Sequence, residues 1–147
     1  MTKGRRRIEM FFGIRAKPAS VFEALTSPEI LCRWFTDSAR IEPRKGGEYS
    51  FEWKGGYHHE GRVLECRPAR SLILAWPQDG KPSRVAFWLT SVKGGTILRF
   101  RQTGLPRDSV RRLSFLGLYS GWVYYLSNLR AVIETDRDLR RPQDRYW

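Results

Sequence analysis

The spacing of apolar residues changes period several times along the chain, and the changes mark out its elements. Ile8, Met10, Phe12 and Ile14 alternate with Arg7, Glu9, Phe11 and Gly13, which predicts a first strand over 8–15. Pro18 then stands where a first helical turn tolerates a missing N–H, and Val21, Phe22 and Leu25 form one apolar stripe. Thr26-Ser27-Pro28-Glu29 ends that helix and starts another. Ser27 is the expected cap, Pro28 takes the first helical position, and Glu29 suits the positive end of the helix dipole. Ile30, Leu31, Trp34 and Phe35 supply the second apolar face.

A run of strands follows. The sequence predicts them at 39–42, 48–53, 57–66, 72–76, 84–90 and 96–102. Tyr49, Phe51 and Trp53 share one face of their strand, and Val85, Phe87 and Leu89 share one face of theirs. Lys45-Gly46-Gly47, Lys54-Gly55-Gly56, Pro77-Gln78-Asp79-Gly80 and Lys93-Gly94-Gly95 punctuate the run, so successive antiparallel hairpins are expected. The facing of 57–66 stays open, because Gly61 and Val63 suggest one inward set and Leu64 and Cys66 the other. Arg99 and Arg101 are expected on the same outer face as Glu48 and Glu52, giving one sheet with an apolar concave side and a charged convex side. The last third reads as one long helix over 108–138, started by Pro106-Arg107-Asp108-Ser109 with Asp108 as cap. Phe115, Leu118, Trp122, Tyr125, Leu126, Leu129 and Ile133 fall on one face of it. Gly117 and Gly121 weaken its first turns, or let backbone approach something closely.

The expected fold class is therefore α+β: a curved antiparallel sheet of about seven strands, two short helices after the first strand, and a long C-terminal helix closing over the sheet. The 147 residues suit one domain over 1–141 with a tail over 142–147.

Composition narrows the classes without changing this outline. A 41% hydrophobic content fits a globular chain, and no apolar run is long enough to span a bilayer. The basic N-terminus runs straight into the alternating segment, which argues against a signal peptide. Cys32 and Cys66 are too few for a disulfide framework and lack metal-site spacing, so a reduced, cytoplasmic protein is expected. The net charge of +12 raises the question of nucleic acid. The charge is dispersed, however, in short clusters at Arg5-Arg6-Arg7, at Arg111-Arg112, and at Arg137, Arg140, Arg141 and Arg145. No nucleic-acid motif accompanies them, and a solvated basic surface is the expectation.

Several matched stretches carry a resemblance. They are Pro18-x-x-Val21-Phe22-x-Ala24-Leu25-Thr26-x-Pro28, Leu31-x-x-Trp34-Phe35, Pro43-Arg44-x-Gly46-Gly47-x-Tyr49-x-Phe51 and Gly61-x-Val63-Leu64-Glu65. Arg70-x-Leu72 with Trp76, Gly95-Thr96-x-Leu98, Gly121-Trp122 with Leu126 and Leu129, and Asp138-Leu139-Arg140 complete them. On these the chain resembles the START-like, helix-grip (SRPBCC) superfamily, and within it the bacterial homologues of the activator of the heat-shock-protein ATPase. The resemblance implies a helix-grip fold with a cavity between sheet and helix. It also implies a set of functions that includes carriers, sensors, cyclases and co-chaperone-like proteins. Many relatives carry a histidine on the strand before the long helix, where this chain has Gln102.

The chemistry written in the residues is sparse. No nucleophile triad, phosphate-binding loop or dinucleotide fingerprint is present. His58 and His59 are adjacent on a strand, so they face opposite ways and cannot jointly hold a metal ion. One of them can project inward as an acid, base or hydrogen-bond donor; the plainer reading is a hairpin-end histidine in solvent. No catalytic residue, metal or cofactor is assigned. Arg33 is exposed on the second helix, or sits at a cavity mouth to meet an anionic head group.

The aromatic residues form the candidate site. Trp34, Tyr49, Phe51, Trp53, Trp76, Phe87, Phe100, Leu118, Trp122 and Tyr125 are expected to line a cavity, with Gln102 as a polar contact. Rings also simply fill cores, and the sequence leaves both open. The leading expectation is a non-catalytic, cytoplasmic protein binding a lipid-like or aromatic small molecule, with a link to stress through the resemblance. A co-chaperone-like module acting on a heat-shock-protein ATPase is the second expectation. A cyclase-like enzyme using His58, His59, Glu60 or Asp37 is the third. The expected partners are a hydrophobic small molecule and a chaperone, with no nucleic acid and no membrane span, in a monomer or homodimer.

Overall fold

A computed structural model describes residues 6–105 and 112–141. Seven strands form one antiparallel sheet: β1 (Arg6–Ile14), β2 (Ser38–Ile41), β3 (Glu48–Trp53), β4 (Tyr57–Arg67), β5 (Ser71–Ala75), β6 (Arg84–Val92) and β7 (Gly95–Leu105). Their spatial order is β1-β7-β6-β5-β4-β3-β2. The hairpins from β2 to β7 therefore run in sequence across the sheet, and β1 closes its far edge against β7. The helices are α1 (Pro18–Thr26), α2 (Pro28–Trp34) and α3 (Arg112–Thr135). They cover the concave side, in the helix-grip arrangement that the resemblance implied. The expected helix start at Asp108 and the tail over 142–147 lie outside the described residues.

The helix pair is made by its prolines and one indole. Pro28 begins α2, and the Ser27 hydroxyl accepts the Ile30 N–H at 3.5 Å. Ala24, four residues before Pro28, would find its helical partner at that position, and proline has no N–H to offer. The Trp34 indole donates to the Ala24 carbonyl instead, at 2.8 Å. Trp34 itself is fully buried, stacked on Phe35 at 4.8 Å between ring centres.

The open question of β4 is settled by a bulge between Val63 and Glu65. Before it, His59 and Val63 point inward with Gly61; after it Cys66, opposite Leu72, packs against the core. The set with Gly61 and Val63 is right before the bulge; after it Cys66 faces inward, with Leu64 as the extra residue that reverses the facing.

The Gly95-Thr96 motif also has a physical reason. A Cβ on Gly95 would lie 2.2 Å from the Ile14 carbonyl oxygen, and the Thr96 hydroxyl donates to the Ala16 carbonyl at 2.7 Å. The pair presses β7 onto the end of β1. Gly95→Ala is expected to lower stability by about 2–4 kcal/mol, since backbone must move to admit the methyl. Chemical denaturation would measure it, and an unchanged midpoint would refute the close-packing account.

α3 ends at Thr135, a few residues before the expected 138. Asp136 takes a left-handed conformation (φ 59°) and its N–H closes the last turn on Val132. The chain beyond it folds back along α2 as a short strap. The fully buried Asn128 holds that strap: its amide donates to the Trp34 carbonyl and to Asp138, each at 3.0 Å, and its oxygen accepts the Leu139 N–H at 2.7 Å. Arg140 completes the latch by donating to Asp138 and to the Thr36 and Cys32 carbonyls. Burial alone would raise the Asp138 carboxyl, but Arg140 and Asn128 hold it below the usual value.

On the convex side Glu9 bridges Arg99 and Arg101, and both guanidinium groups stack on the Trp88 ring. Glu48 is paired with Arg62 at the other end of the sheet. The expected charged outer face is therefore present as two separate clusters.

Candidate functional site

A cavity of about 300 Å³ opens between the β3–β4 hairpin, the end of α2 and the first half of α3. Its walls are largely aromatic: Phe35, Trp53, Trp76, Trp122, Tyr124 and Tyr125 all face it. Each ring is fixed by neighbours. The Trp53 indole donates to the Phe35 carbonyl at 2.6 Å, and the Trp122 indole donates to Gln102 Oε1 at 2.8 Å. Phe35 sits at the centre of the group, edge-on to Trp53 and Tyr125 at 5.0 Å. Phe35 is also stacked on Trp34, and Trp76 on Tyr49 and His59, so edge and face contacts together hold the rings in place.

Gly117 and Gly121 lie one turn apart and both line the cavity. A Cβ on Gly117 would meet nothing within 4 Å. Gly117 therefore leaves room instead of permitting a close approach, and α3 runs through both glycines without a break. The two glycines share the helical wall with Leu118, Trp122, Tyr124 and Tyr125.

Of the residues expected at the cavity, Trp53, Trp76, Leu118, Trp122 and Tyr125 stand on its wall. Trp34, Tyr49, Phe51, Phe87, Phe100 and Gln102 do not. They are buried, and a void of about 10 Å³ beside Trp34, Phe51 and Phe87 is too small and apolar for water. Gln102 spends its hydrogen bonds on Trp122, on Ser83 at 3.0 Å and on Gln78 at 3.4 Å, so it orients a wall residue without facing the cavity. Sequence pattern placed all these rings on the concave face correctly. It could not show where along the sheet the helices cover that face.

Of the two histidines, His59 is the one at the wall, a choice the sequence left open. The turn at 54–56 pairs Trp53 with Tyr57 and hence Phe51 with His59, so the register was a usable signal. His59 is stacked on Trp76 at 4.2 Å and shares a 3.1 Å hydrogen bond with the Tyr57 hydroxyl. His58 and Glu60 are exposed on the other face. Asp37 is also at the wall, where its carboxylate accepts the Lys54 backbone N–H at 2.8 Å. Arg33 is away from the cavity in an ion pair with Asp136; the cations that line it are Lys54, Arg140 and Arg141. The strap carries the Asp138-Leu139-Arg140 stretch of the resemblance, but no spacing in the sequence placed its arginines at the cavity. Among the described residues no three His, Cys, Asp or Glu side chains gather as a metal site, and no helix is long and apolar enough to cross a membrane.

Burial pushes His59 down to about 4, with His58 adding to the shift, so the imidazole is neutral at pH 7. The unfolded chain binds this proton more readily than the folded one. Stability from His59 is thus complete above about pH 6.5 and is lost as pH falls towards 4. The loss is expected to reach up to about 3 kcal/mol. Denaturation at several pH values would show it, and His59→Phe should flatten the dependence between pH 6.5 and 4. An equal slope in the variant would contradict the assignment.

The comparisons agree with the fold. Residues 15–134 match the family model described as Activator of Hsp90 ATPase homolog 1-like protein. The chain belongs to that family. Protein MLL2253 from Mesorhizobium loti is similar in structure, with a TM-score of 0.80 at 23% identity over 90% of this chain and 99% of that one. The Aha1 dimer from Colwellia psychrerythraea is similar with a TM-score of 0.79 at 20% identity, over 90% of this chain and 98% of that one. CalU16 from Micromonospora echinospora has a TM-score of 0.72 at 26% identity, over 92% and 84%. Among curated proteins no significant match was found. Family membership accounts for the fold; the cavity must speak for the function.

Proposed function

We propose that this chain is a non-catalytic binding protein for a small, largely apolar molecule of aromatic or lipid-like character. The observation that carries the reading is the cavity itself. At about 300 Å³ it stands at the small end of the range for ligand pockets. Its walls are mostly rings packed on one another, and Gly117 and Gly121 leave gaps beside Leu118, Trp122, Tyr124 and Tyr125 on its helical side. Binding would come from burying ligand surface against these rings, with the neutral His59–Tyr57 pair offering a hydrogen bond. Native mass spectrometry and thermal-shift screening against fatty acids and aromatic metabolites test it. A retained ligand that raises the melting temperature is the expected result; no stabilisation by any compound in the panel would oppose it.

Family membership favours a second reading, a co-chaperone-like module that stimulates a heat-shock-protein ATPase. The net charge of +12 suits an acidic partner surface. That reading expects salt-sensitive chaperone binding and a raised ATPase rate. Unchanged ATPase rates at low salt would dismiss it.

A further inference from the structure

The cavity has one wall unlike the others. Phe35, Trp76 and Trp122 belong to the hydrophobic core, and Trp53 and Tyr125 pack against it. The strap after α3 supplies Arg140 and Arg141 to the wall, yet its only apolar residue over 136–141, Leu139, is 54% exposed. Polar bonds dock it. The Leu139 N–H donates to Asn128, the Asn128 amide donates to Asp138, and Arg140 donates to the Thr36 and Cys32 carbonyls. Asp138 in turn grips the Arg140 guanidinium, whose side chain is only 11% exposed. An ion pair between Asp136 and Arg33 ties the start of the strap to α2. The latch adjoins the cavity on two sides. Asn128 lies one turn after Tyr124 and Tyr125 on α3, and it also donates to the Trp34 carbonyl, next to Phe35.

We propose that the strap is the gate of the cavity, with Asn128 and Arg140 as its positioning residues: a guest enters when their bonds to the strap and to α2 part, and is held when they re-form. The proposal rests on the binding-protein reading above and adds how that site opens. Each latch bond replaces one that water would make, so breaking it costs little net, whereas parting the rings exposes apolar surface to water. Of the walls, the strap is therefore the one that opens locally while the core stays folded. Arg140 joins the strap to the end of α2, so replacing it loosens the gate without cutting into the core.

The test follows 2-naphthamide binding to the full chain in two ways. In hydrogen exchange, the Leu139 amide is expected to slow at least about fivefold when guest nearly saturates the cavity. In stopped-flow fluorescence of the indoles, the binding rate is expected to level off at high guest concentration, where latch opening limits it. Arg140→Met is expected to raise that plateau and the dissociation rate by about fivefold or more. Arg140→Lys, which keeps the charge and loses the fork, is expected to act in the same direction should the methionine variant fail to fold, and the exchange measurement needs no variant. Unchanged Leu139 exchange in the guest-bound chain would overturn the proposal and leave the cavity reading standing. So would a binding rate that rises in proportion to guest concentration and is the same in both Arg140 variants. Binding of neither 2-naphthamide nor decanoate would overturn the proposal and the binding-protein reading together.

Discussion

Gly117→Phe is expected to close the cavity while leaving the protein folded. A Cβ at Gly117 projects into open space, and the position already lies within a regular helix. Because Gly117 lines the cavity, the phenyl ring is expected to fill part of it without displacing backbone. Glycine within a helix is about 0.5 kcal/mol less favourable than phenylalanine and about 1 kcal/mol less favourable than alanine. The variant should melt at or above the wild-type temperature, yet bind an aromatic probe at least about tenfold more weakly, the equivalent of losing some 1.4 kcal/mol. Gly117→Ala separates the two effects: it should stabilise the fold and remove only a methyl's worth of space. Calorimetric titration and thermal melts on both variants check this. Undiminished affinity in Gly117→Phe would mean that the ligand does not use this space.

Trp34→Ala is expected to be the most damaging single change in the helix pair, with a loss of about 3–5 kcal/mol. The ring is fully buried and supports Phe35, from which the cavity's aromatic wall is built. Its N–H also serves the Ala24 carbonyl, which Pro28 leaves without a helical partner. Trp34→Phe isolates that second role. It keeps most of the packing and leaves the carbonyl unpaired, at a cost of about 1–3 kcal/mol. Denaturant unfolding measures both. If Trp34→Phe were as stable as the wild type, the indole would be only a filler.

These two residues also show what the sequence could and could not reveal. The segment 18–35 was legible because its signals are local: two prolines at helix starts, a capping serine and apolar spacing. The strands were legible for the same reason, down to the alternation that sends Tyr49, Phe51 and Trp53 inward. The cavity was only half legible. Tyr49 and Trp53 lie on the same face of the same strand, yet Tyr49 is buried with its hydroxyl on the Ala75 carbonyl, while Trp53 stands at the wall. What separates them is where the helices cross the sheet, and that is decided by contacts far apart in sequence. The strap is the extreme case. Arg140 reaches the Thr36 and Cys32 carbonyls across more than a hundred residues, and no periodicity announces such a contact.

Binding as proposed requires that a guest enter between the indoles and α3 while the core beneath stays closed. Nitrogen–proton NMR on the tryptophan indoles tests it most directly, with 2-naphthamide as the guest. Trp53, Trp76 and Trp122 line the cavity, Trp34 is sealed in the core, and Trp88 lies on the convex face under Arg99 and Arg101. The predicted result is saturable movement of the Trp53 and Trp122 indole signals and of the Gly117 and Gly121 amides, with Trp34 and Trp88 unmoved. Silent cavity signals at high guest concentration, or equal movement of Trp34 and Trp88, would contradict it.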